Sequence, residues 1–244
     1  MNDALLPGRK ALVTGSAKRT GRAIALALAK AGADVAVHHR TSDEEAERTA
    51  ADIRALGRSA CVVAGDLIDA STAEAVVQGA RSGLGGLDIL VNNVGMIRWK
   101  RLDELSAEDW QAGIDGTLRV TLNVCRAALP ALRAQRYGRI VNILDADADL
   151  VAPVDLAAPY KIGKTGTWML TKSLAVQEAP HGITVNAVSP GTLDNSEQQP
   201  PLSQVPAGRA GRVDEVADAV LFFVREQAGY VTGSNLKVSG GYLI

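Results

Sequence analysis

Apolar residues along the chain form two patterns: short continuous runs, and longer stretches with helical spacing. The short runs predict strands, because a few consecutive buried residues bounded by turns are typical of a strand covered on both faces. The longer stretches predict helices with one buried face, because their apolar residues recur every three or four positions. The predicted strands span residues 10–14, 34–38, 60–64, 87–91, 139–144, 183–188 and 236–238. The predicted helices span 22–31, 42–56, 73–84, 108–132, a stretch from residue 160 onward, and 213–224.

This alternation of strands and helices predicts one α/β domain over residues 1–244. Because parallel strands need long crossover connections and the helices supply them, we expect a parallel seven-stranded sheet, doubly wound with helices on both faces. Gly113 and Gly116 fall inside the longest predicted helix, where we expect a bend. Residues 192–210, rich in Pro, Gln and Ser, predict a mobile lid over a site, with a plain surface excursion as the alternative.

Composition and charge exclude several classes of protein. The chain has 244 residues, 47% of them hydrophobic, and a net charge of −1, which gives no electrostatic basis for binding nucleic acid or an anionic membrane. No apolar run approaches the roughly 18 residues of a membrane span, and residues 1–10 carry no signal pattern, so we expect a soluble, cytoplasmic protein. Cys61 and Cys125 predict buried free thiols, and three histidines without ligand spacing predict no metal site.

Tyr160 and Lys164 lie four residues apart near the start of a predicted helix, which places them on one face. Pro159 suits the first turn of that helix. An ammonium beside a phenol favours the phenolate, so we expect the pKa of Tyr160 to be lowered from about 10 toward neutrality. A tyrosine in that range can donate a proton to a substrate. Because such pairs also arise by chance, the interpretation depends on the rest of the chain.

A glycine-containing turn joins the first predicted strand to the first helix. Gly15 and Gly21 allow the backbone to approach a pyrophosphate, which would then lie at the helix N-terminus, where anions are favoured. The spacing fits neither of the two common phosphate-binding glycine motifs, and Thr20 stands where the second glycine of one of them would be. Lys18 and Arg19 within the turn favour a phosphate site over a tight turn that binds no ligand.

Several motifs, taken together, resemble the short-chain dehydrogenase/reductase family. The Thr-Gly-x-x-x-Gly-x-Gly turn of the family is present with Arg19 in place of its middle glycine, and Tyr160 and Lys164 match its Tyr-x-x-x-Lys pair. The other matching segments are Asn92-Asn93-Val94-Gly95, Pro190-Gly191, Gly208-Arg209, Glu215-Val216, Val231-Thr232-Gly233 and Ser239-Gly240-Gly241. The match runs in order from about residue 10 to residue 242. The resemblance implies a Rossmann-type domain that catalyses hydride transfer.

The resemblance implies that NAD(P)H binds over the strand ends, and the residues after the second strand favour NADP(H). A carboxylate there would repel a 2′-phosphate, but the chain has His39 and Arg40, and Arg40 with Lys18 can bracket a phosphate. An Arg40 that is merely solvated is the alternative. Asp66 matches a family residue that contacts adenine, with helix capping as its alternative role. The full set of implied cofactor residues is Gly15, Lys18, Arg19, Thr20, Gly21, His39, Arg40, Asp66, Leu67, Asn92, Gly95, Tyr160, Lys164, Pro190, Gly191 and Thr192.

In the implied mechanism Tyr160 protonates the substrate, while Lys164 lowers the tyrosine pKa and holds the nicotinamide ribose. Asp145 stands where the family has its catalytic serine, although Asp147 has the usual separation from Tyr160 and is the second candidate. A carboxylate cannot donate a hydrogen bond unless it is protonated. It can accept one from a substrate N–H, supply a proton through water, or merely cap a loop. Thr117 replaces the family asparagine that holds a water near the lysine, and simple packing is its alternative role.

Three functions are consistent with these residues. The leading interpretation is NADPH-dependent reduction of a small-molecule ketone, of the 3-oxoacyl or general carbonyl type. Arg19, the His-Arg pair and the aspartate in place of serine also resemble the pteridine reductases, which reduce C=N bonds. A cofactor-binding protein with little or no catalysis is the third. The resemblance further implies a homotetramer or homodimer, for which apolar surface is offered by residues that could equally be core: Ala127, Ala128, Leu132, Trp168 and Leu174.

Overall fold

A computed structural model describes residues 5–196 and 202–243 of the chain. The strands are β1 (Lys10–Val13), β2 (Asp34–His39), β3 (Ala60–Ala64), β4 (Ile89–Asn92), β5 (Gly138–Ile143), β6 (Ile183–Pro190) and β7 (Asn235–Val238). The α-helices are α1 (Arg19–Lys30), α2 (Asp43–Ala55), α3 (Ala70–Leu84), α4 (Ala107–Ile114), α5 (Val120–Gln135), α6 (Ala158–Glu178) and α7 (Val213–Val224). All seven strands pair in parallel in one sheet, in the order β3-β2-β1-β4-β5-β6-β7. The predicted fold class is confirmed.

Helices cover both faces of this sheet, because its central strands are apolar on both sides. Helices α1, α2 and α7 contribute to the core on one face, and α3, α5 and α6 contribute to the core on the other. The strand order reverses between β1 and β4, where the two connections lead to opposite sides of the sheet. A crevice at the carboxyl ends of such strands is the usual ligand site of an open α/β sheet. The glycine turn and the residues after β4 both lie at this point.

The predicted long helix contains a five-residue π-helical segment, Asp115–Arg119, between α4 and α5. A π turn adds one residue to a helical turn and often occurs at a functional site. Sequence spacing places the irregularity correctly near Gly116 but does not reveal its π-helical form. Helix α1 begins at Arg19 rather than at the predicted residue 22, and α6 begins at Ala158, before the tyrosine.

Helix α6 packs closely against α4 and the π-helical segment through glycines. A Cβ atom on Gly113 would lie 2.8 Å from the Pro159 Cβ, and one on Gly163 would lie 2.9 Å from the Thr117 Cβ. A Cβ on Gly166 would lie 2.9 Å from the Leu118 Cδ2. These contacts fix the start of α6, which carries the Tyr-Lys pair, relative to α4 and the π-helical segment.

The residues predicted as apolar oligomer surface belong largely to the core, which was the alternative interpretation. Ala128, Leu132 and Leu174 are buried in the core between α5, α6 and the sheet, and Ala127 packs against it. Trp168 packs against a small separate cluster. The same helices expose a different set of apolar side chains: Leu122, Ile162, Met169 and Val176.

The two cysteines are free, but only one of them is buried. Cys125 is fully buried, which raises the pKa of its thiol to about 12, whereas Cys61 is partly exposed. The prediction of two buried thiols was therefore wrong for Cys61, because β3 is an edge strand of the sheet. Over the two described ranges, no helix combines the length and the apolar character that crossing a membrane requires.

We expect Gly163→Ala to destabilise the protein by about 1–3 kcal/mol, the usual effect of inserting a methyl group into a packed contact. The new methyl group would press on the buried Thr117 and displace the start of α6. Urea unfolding monitored by circular dichroism measures the change. Ser173→Ala, on the exposed side of the same helix, is the matched control and should change stability by less than about 0.5 kcal/mol. Equal effects of the two substitutions would contradict this packing argument.

Candidate active site

The glycine turn lies between β1 and α1 and is tied to the end of β4. Gly15 has a φ of +63°, and a Cβ atom on Gly21 would lie 2.3 Å from the Gly15 carbonyl oxygen, so both positions require glycine. The Asn93 side-chain amide donates to the carbonyl oxygens of Thr14 (3.1 Å) and Gly15 (3.3 Å). Arg19 has a φ of +57° at the place of the family glycine. Two features therefore hold the turn in one conformation: the close packing of Gly21 on Gly15, and the hydrogen bonds from Asn93.

His38 supports the same turn from β2, a role that the sequence did not predict. Its Nδ1 accepts the Gly15 N–H at 3.0 Å, so its Nε2 carries the proton and donates to the Gly65 carbonyl at 3.1 Å. Burial lowers the pKa of His38 to about 4, which keeps the ring neutral. The imidazole thus connects the glycine turn to the end of β3. In the sequence, this role of His38 is indicated only by the position of a histidine inside an apolar run of residues.

The residues predicted to bind the 2′-phosphate differ in exposure. Arg40 is exposed, with its Nη1 3.4 Å from the Asp66 Oδ2, and Lys18 is also exposed. His39 is buried, and its Nδ1 accepts the Ser42 N–H at 3.2 Å at the start of α2. Arg40 and Lys18 therefore present charge to solvent near the strand ends, while the His39 side chain faces inward.

The loop after β3 positions the two other predicted residues of this side. Asp66 is exposed and accepts the Ile68 N–H at 3.1 Å, whereas the side chain that caps α3 is Asp69, which accepts the Thr72 N–H at 2.7 Å. The alternative role of Asp66 as a helix cap was therefore wrong. Leu67 is buried, and its carbonyl accepts from the Asn123 side chain.

Tyr160 and Lys164 meet at the start of α6, but their electrostatics differ from the expectation. Burial, reinforced by the Asp145 and Asp147 carboxylates, raises the pKa of Tyr160 well above its ordinary value. The expected lowering by Lys164 was wrong, because loss of hydration and two nearby negative charges disfavour the phenolate more than the ammonium favours it. The Lys164 Nζ lies 5.5 Å from the centre of the tyrosine ring.

Lys164 is a buried cation anchored to the sheet. Its Nζ donates to the Ile143 carbonyl at 2.6 Å, and its side chain is 4% exposed. Burial lowers the pKa of Lys164 to about 8, against a smaller opposing effect of Asp145. A Cβ atom on Gly95 would lie 3.2 Å from the lysine Nζ and 3.2 Å from the Tyr160 Cε2, so glycine is needed at the end of β4.

The two candidate aspartates share one ammonium group, that of Lys161. The Lys161 Nζ lies 2.7 Å from the Asp145 Oδ2 and 2.9 Å from both carboxylate oxygens of Asp147. The Asp145 Oδ1 accepts the Ala146 N–H at 2.9 Å. Lys161 was missed because the spacing argument considered only residues on the same helical face as Tyr160. The structure thus brings both aspartates to one place.

Thr117 and Asn92 are buried beneath this site. The Thr117 hydroxyl accepts the Met96 N–H at 3.3 Å, so the threonine links the π-helical segment to the chain after β4. The Asn92 side chain donates to the Asn142 Oδ1 at 2.9 Å, which joins β4 to β5. Both side chains therefore support the floor of the site.

A cavity of about 690 Å³ opens over these residues at the carboxyl ends of the strands. Most of the predicted site residues line it: Arg19, Thr20, Gly95, Asp145, Asp147, Tyr160, Lys164, Pro190, Gly191 and Thr192. Within the described residues, the other predicted ones lie outside its wall: Gly15, Lys18, Gly21, His39, Arg40, Asp66, Leu67, Asn92 and Thr117. Lys161 and Trp99 also line the cavity.

The predicted lid borders this cavity in its described parts. The Arg19 Nη2 donates to the Asn195 carbonyl at 2.7 Å, so the glycine turn contacts the segment after β6 directly. Leu193 pairs with Gly211 in an isolated parallel bridge. Residues 197–201 of the predicted lid lie outside the described residues, and its mobility remains a prediction.

The chain is similar along almost its whole length to known oxidoreductases. A family model described as enoyl-(acyl carrier protein) reductase matches residues 15–243. The chain is 35% identical over 241 residues to the 3-oxoacyl-[acyl-carrier-protein] reductase FabG of Staphylococcus aureus strain Mu50, covering 96% of this chain and 97% of that protein. It is 35% identical over 244 residues to FabG of Escherichia coli strain K12, covering 96% of this chain and 97% of that protein.

Solved structures show the same similarity. A short chain dehydrogenase from Burkholderia cenocepacia J2315 in complex with NADP has a TM-score of 0.90 and 34% identity, covering 97% of this chain and 98% of that chain. A gluconate 5-dehydrogenase from the same organism, in complex with NADP and tartrate, has a TM-score of 0.90 and 32% identity, covering 98% of this chain and 97% of that chain.

Lys164 should make the stability of the ligand-free protein depend on pH. The unfolded chain holds this proton up to its ordinary pKa of 10.5, whereas the folded protein releases it near 8, so its unfavourable contribution to folding decreases as pH rises between these values. We expect the stability of Lys164→Met relative to the wild type to decrease by about 2 kcal/mol between pH 7 and pH 9.5. Urea unfolding at the two pH values measures it.

The control for this experiment is Lys172→Met on the exposed side of α6. Its stability relative to the wild type should be the same at both pH values. The Lys164→Met variant also loses the hydrogen bond to Ile143, which adds an offset that does not change with pH. A difference for Lys164→Met that is constant with pH would show that the lysine is not a buried cation.

Proposed function

The chain belongs to the short-chain dehydrogenase/reductase family, and from this premise we propose that it reduces a small carbonyl compound with NADPH. Membership makes it an oxidoreductase that uses a nicotinamide cofactor. The observation that carries the proposal is the meeting of Tyr160, held protonated, and the buried Lys164 in the wall of a strand-end cavity. A volume of about 690 Å³ lies in the range of about 300–1,000 Å³ typical of small-molecule sites.

The residues around the cavity suit a phosphorylated dinucleotide. A Cβ atom at Gly21 would collide with the turn, so the turn packs closely against the start of α1 only because this residue is glycine. The first backbone N–H groups of a helix have no partner within the helix and favour an anion such as a pyrophosphate. Exposed Lys18 and Arg40 supply the positive charge for a 2′-phosphate, and Arg40 would exchange its partly exposed Asp66 partner for it. Such a surface ion pair contributes only about 0–1 kcal/mol, so it is readily exchanged.

The chemistry follows from the state of the two central groups. NADPH, when bound, supplies the hydride for the reaction. Tyr160 enters the reaction protonated, because burial and two carboxylates hold its pKa high, and its hydroxyl can give that proton to the oxygen of the reduced carbonyl. Lys164 supplies a positive charge at the tyrosine as the phenolate forms. A tyrosine that favours its protonated form also favours reduction over alcohol oxidation, since oxidation begins from the phenolate.

The proposed substrate class is a 3-oxoacyl thioester or another small ketone. The printed names of the FabG relatives support the first, and the gluconate 5-dehydrogenase supports a broader range of carbonyl compounds. Pterin-type C=N reduction stays an alternative hypothesis, for which Trp99 in the cavity wall offers a flat ring surface. The non-catalytic alternative also stays open to test, but it gives no reason for a buried ammonium beside a partly buried phenol.

We further propose that the chain acts as one domain and assembles as a homodimer or homotetramer. The exposed apolar side chains of α5 and α6, Leu122, Ile162, Met169 and Val176, supply surface for such contacts in place of the residues predicted from the sequence. Sedimentation velocity of the full chain measures its mass. A purely monomeric species at micromolar concentration would contradict the proposed assembly.

Tyr160→Phe should lower the turnover number for ketone reduction by about 1,000-fold, because the proton donor is removed. NADPH oxidation with acetoacetyl thioesters, simple diketones and dihydropterins, followed by absorbance, measures it. The affinity for NADPH should stay unchanged. Tyr230→Phe, at a fully exposed tyrosine, is the matched control and should retain wild-type activity. Turnover of dihydropterins alone would favour the alternative, and tight NADPH binding without any turnover would favour the non-catalytic one.

Arg40→Ala should raise the KM for NADPH about tenfold and leave the KM for NADH unchanged, because it removes a charged partner of the 2′-phosphate. Initial-rate kinetics with the two cofactors measure the ratio. Arg48→Ala, an exposed arginine on α2, is the control and should not alter it. Equal use of NADH and NADPH by the wild type would remove the role proposed for Arg40.

A further inference from the structure

We propose that Lys161 is a catalytic residue, and that its ammonium group donates to the substrate carbonyl oxygen the hydrogen bond that a serine gives elsewhere in the family. This inference rests on the proposed carbonyl reduction and adds a residue to it. With Asp145 at the position of the family serine, another residue has to donate the hydrogen bond that polarises the carbonyl group.

Asp145 itself is not available as that donor. Its Oδ2 accepts from the Lys161 ammonium at 2.7 Å, and its Oδ1 accepts from the Ala146 N–H at 2.9 Å. Both oxygens of the Asp145 side chain therefore act as hydrogen-bond acceptors in the structure. An ionised carboxylate only accepts hydrogen bonds. Asp145 therefore presents no proton to a carbonyl oxygen.

Lys161 has the donor that Asp145 lacks. An ammonium group has three N–H donors, and the Lys161 Nζ makes three short contacts, one with Asp145 and one with each oxygen of Asp147. Because two of these contacts go to the same carboxylate, one of them can be exchanged for a substrate carbonyl oxygen while both ion pairs are kept, which supplies the third donor. Although burial alone would lower it, the pKa of Lys161 is raised by the two carboxylates, so the group stays charged. Its side chain is 21% exposed and lines the cavity, so the third donor can reach a ligand there.

The position of Lys161 relative to the acid is fixed by short-range structure. Lys161 follows Tyr160 directly in the first turn of α6, and its backbone N–H donates to the Ala157 carbonyl at 3.1 Å. The side chains of Tyr160 and Lys161 line the same cavity, and Asp145 lines it as well. Lys164 also lines the cavity, but it is only 4% exposed and its Nζ donates to the Ile143 carbonyl. Lys161 is thus the lysine placed to contact a substrate.

The proposed step keeps its balance of atoms and electrons. Hydride adds to the carbonyl carbon, the π pair of the C=O bond moves to oxygen, and that oxygen takes the Tyr160 proton, so the carbonyl is reduced and the nicotinamide is oxidised. Lys161 gains and loses no proton, because it only donates a hydrogen bond to the oxygen as negative charge develops there. A preorganised donor of this kind contributes most where water is excluded.

The first test is Lys161→Met, a side chain of similar length without charge or donor. The turnover number for the best ketone substrate should fall about 100-fold or more, as when one donor to a developing oxyanion is removed. The dissociation constant of NADPH, measured by fluorescence, should change less than twofold. Lys172→Met, on the exposed side of α6, is the control and should keep wild-type turnover. Turnover within twofold of the wild type in Lys161→Met would overturn the inference.

A pair of double variants separates donation from simple charge neutralisation. Asp145→Ser/Lys161→Met and Asp145→Ala/Lys161→Met have the same charge, and only the first offers a hydroxyl donor. We expect at least tenfold higher turnover for the serine variant. Lys161→Met leaves the carboxylates of Asp145 and Asp147 without their cation. Each double variant removes the Asp145 carboxylate, so it tests the inference even where the single variant fails to fold. Equal turnover of the two would assign Lys161 a structural role.

The wild-type measurement distinguishes this inference from the function on which it rests. If the wild-type protein turns over no carbonyl compound, the proposed function fails and the role of Lys161 fails with it. If the wild type is active and the two double variants are equal, only the role of Lys161 fails.

Discussion

The hydrogen bond from the buried Lys164 ammonium to the Ile143 carbonyl joins the helix that carries Tyr160 to the end of the central sheet. Every other feature of the site is placed relative to this bond. Glycines at positions 113 and 163 allow the approach, because a Cβ atom there would lie 2.8 Å from the Pro159 Cβ and 2.9 Å from the Thr117 Cβ. Burial of this cation lowers the stability of the folded protein. The same contact holds the helix with Tyr160 beside the sheet.

Much of the fold could be predicted from the sequence, because strands buried on both faces leave a clear apolar pattern. The strand β6, for example, is buried along its whole length and was predicted within two residues. The motif residues at the strand ends also collect where a parallel sheet requires, so Gly95, Tyr160 and Pro190 line one cavity. Local spacing is sufficient for such features, since each depends on neighbours in one element.

The features that escaped prediction depend on contacts between distant parts of the chain. His38 connects Gly15 and Gly65, and Lys161 binds two aspartates 14 and 16 residues away. The sign of the Tyr160 pKa shift also escaped, because it follows from burial and from the two carboxylates of Asp145 and Asp147. Spacing shows that a cation is near a phenol, but it does not show how much water the fold removes.

The buried imidazole of His38 sets an acid limit for the glycine turn between β1 and α1. Its pKa is about 4 in the folded protein and 6.5 in its ordinary state, so between these values only the unfolded chain takes up the proton. The contribution of His38 to the free energy of unfolding is fully present above pH 6.5, and it is lost as the pH falls toward 4. The ring that orders the glycine turn therefore also determines how far acidification can proceed before that turn loses its support.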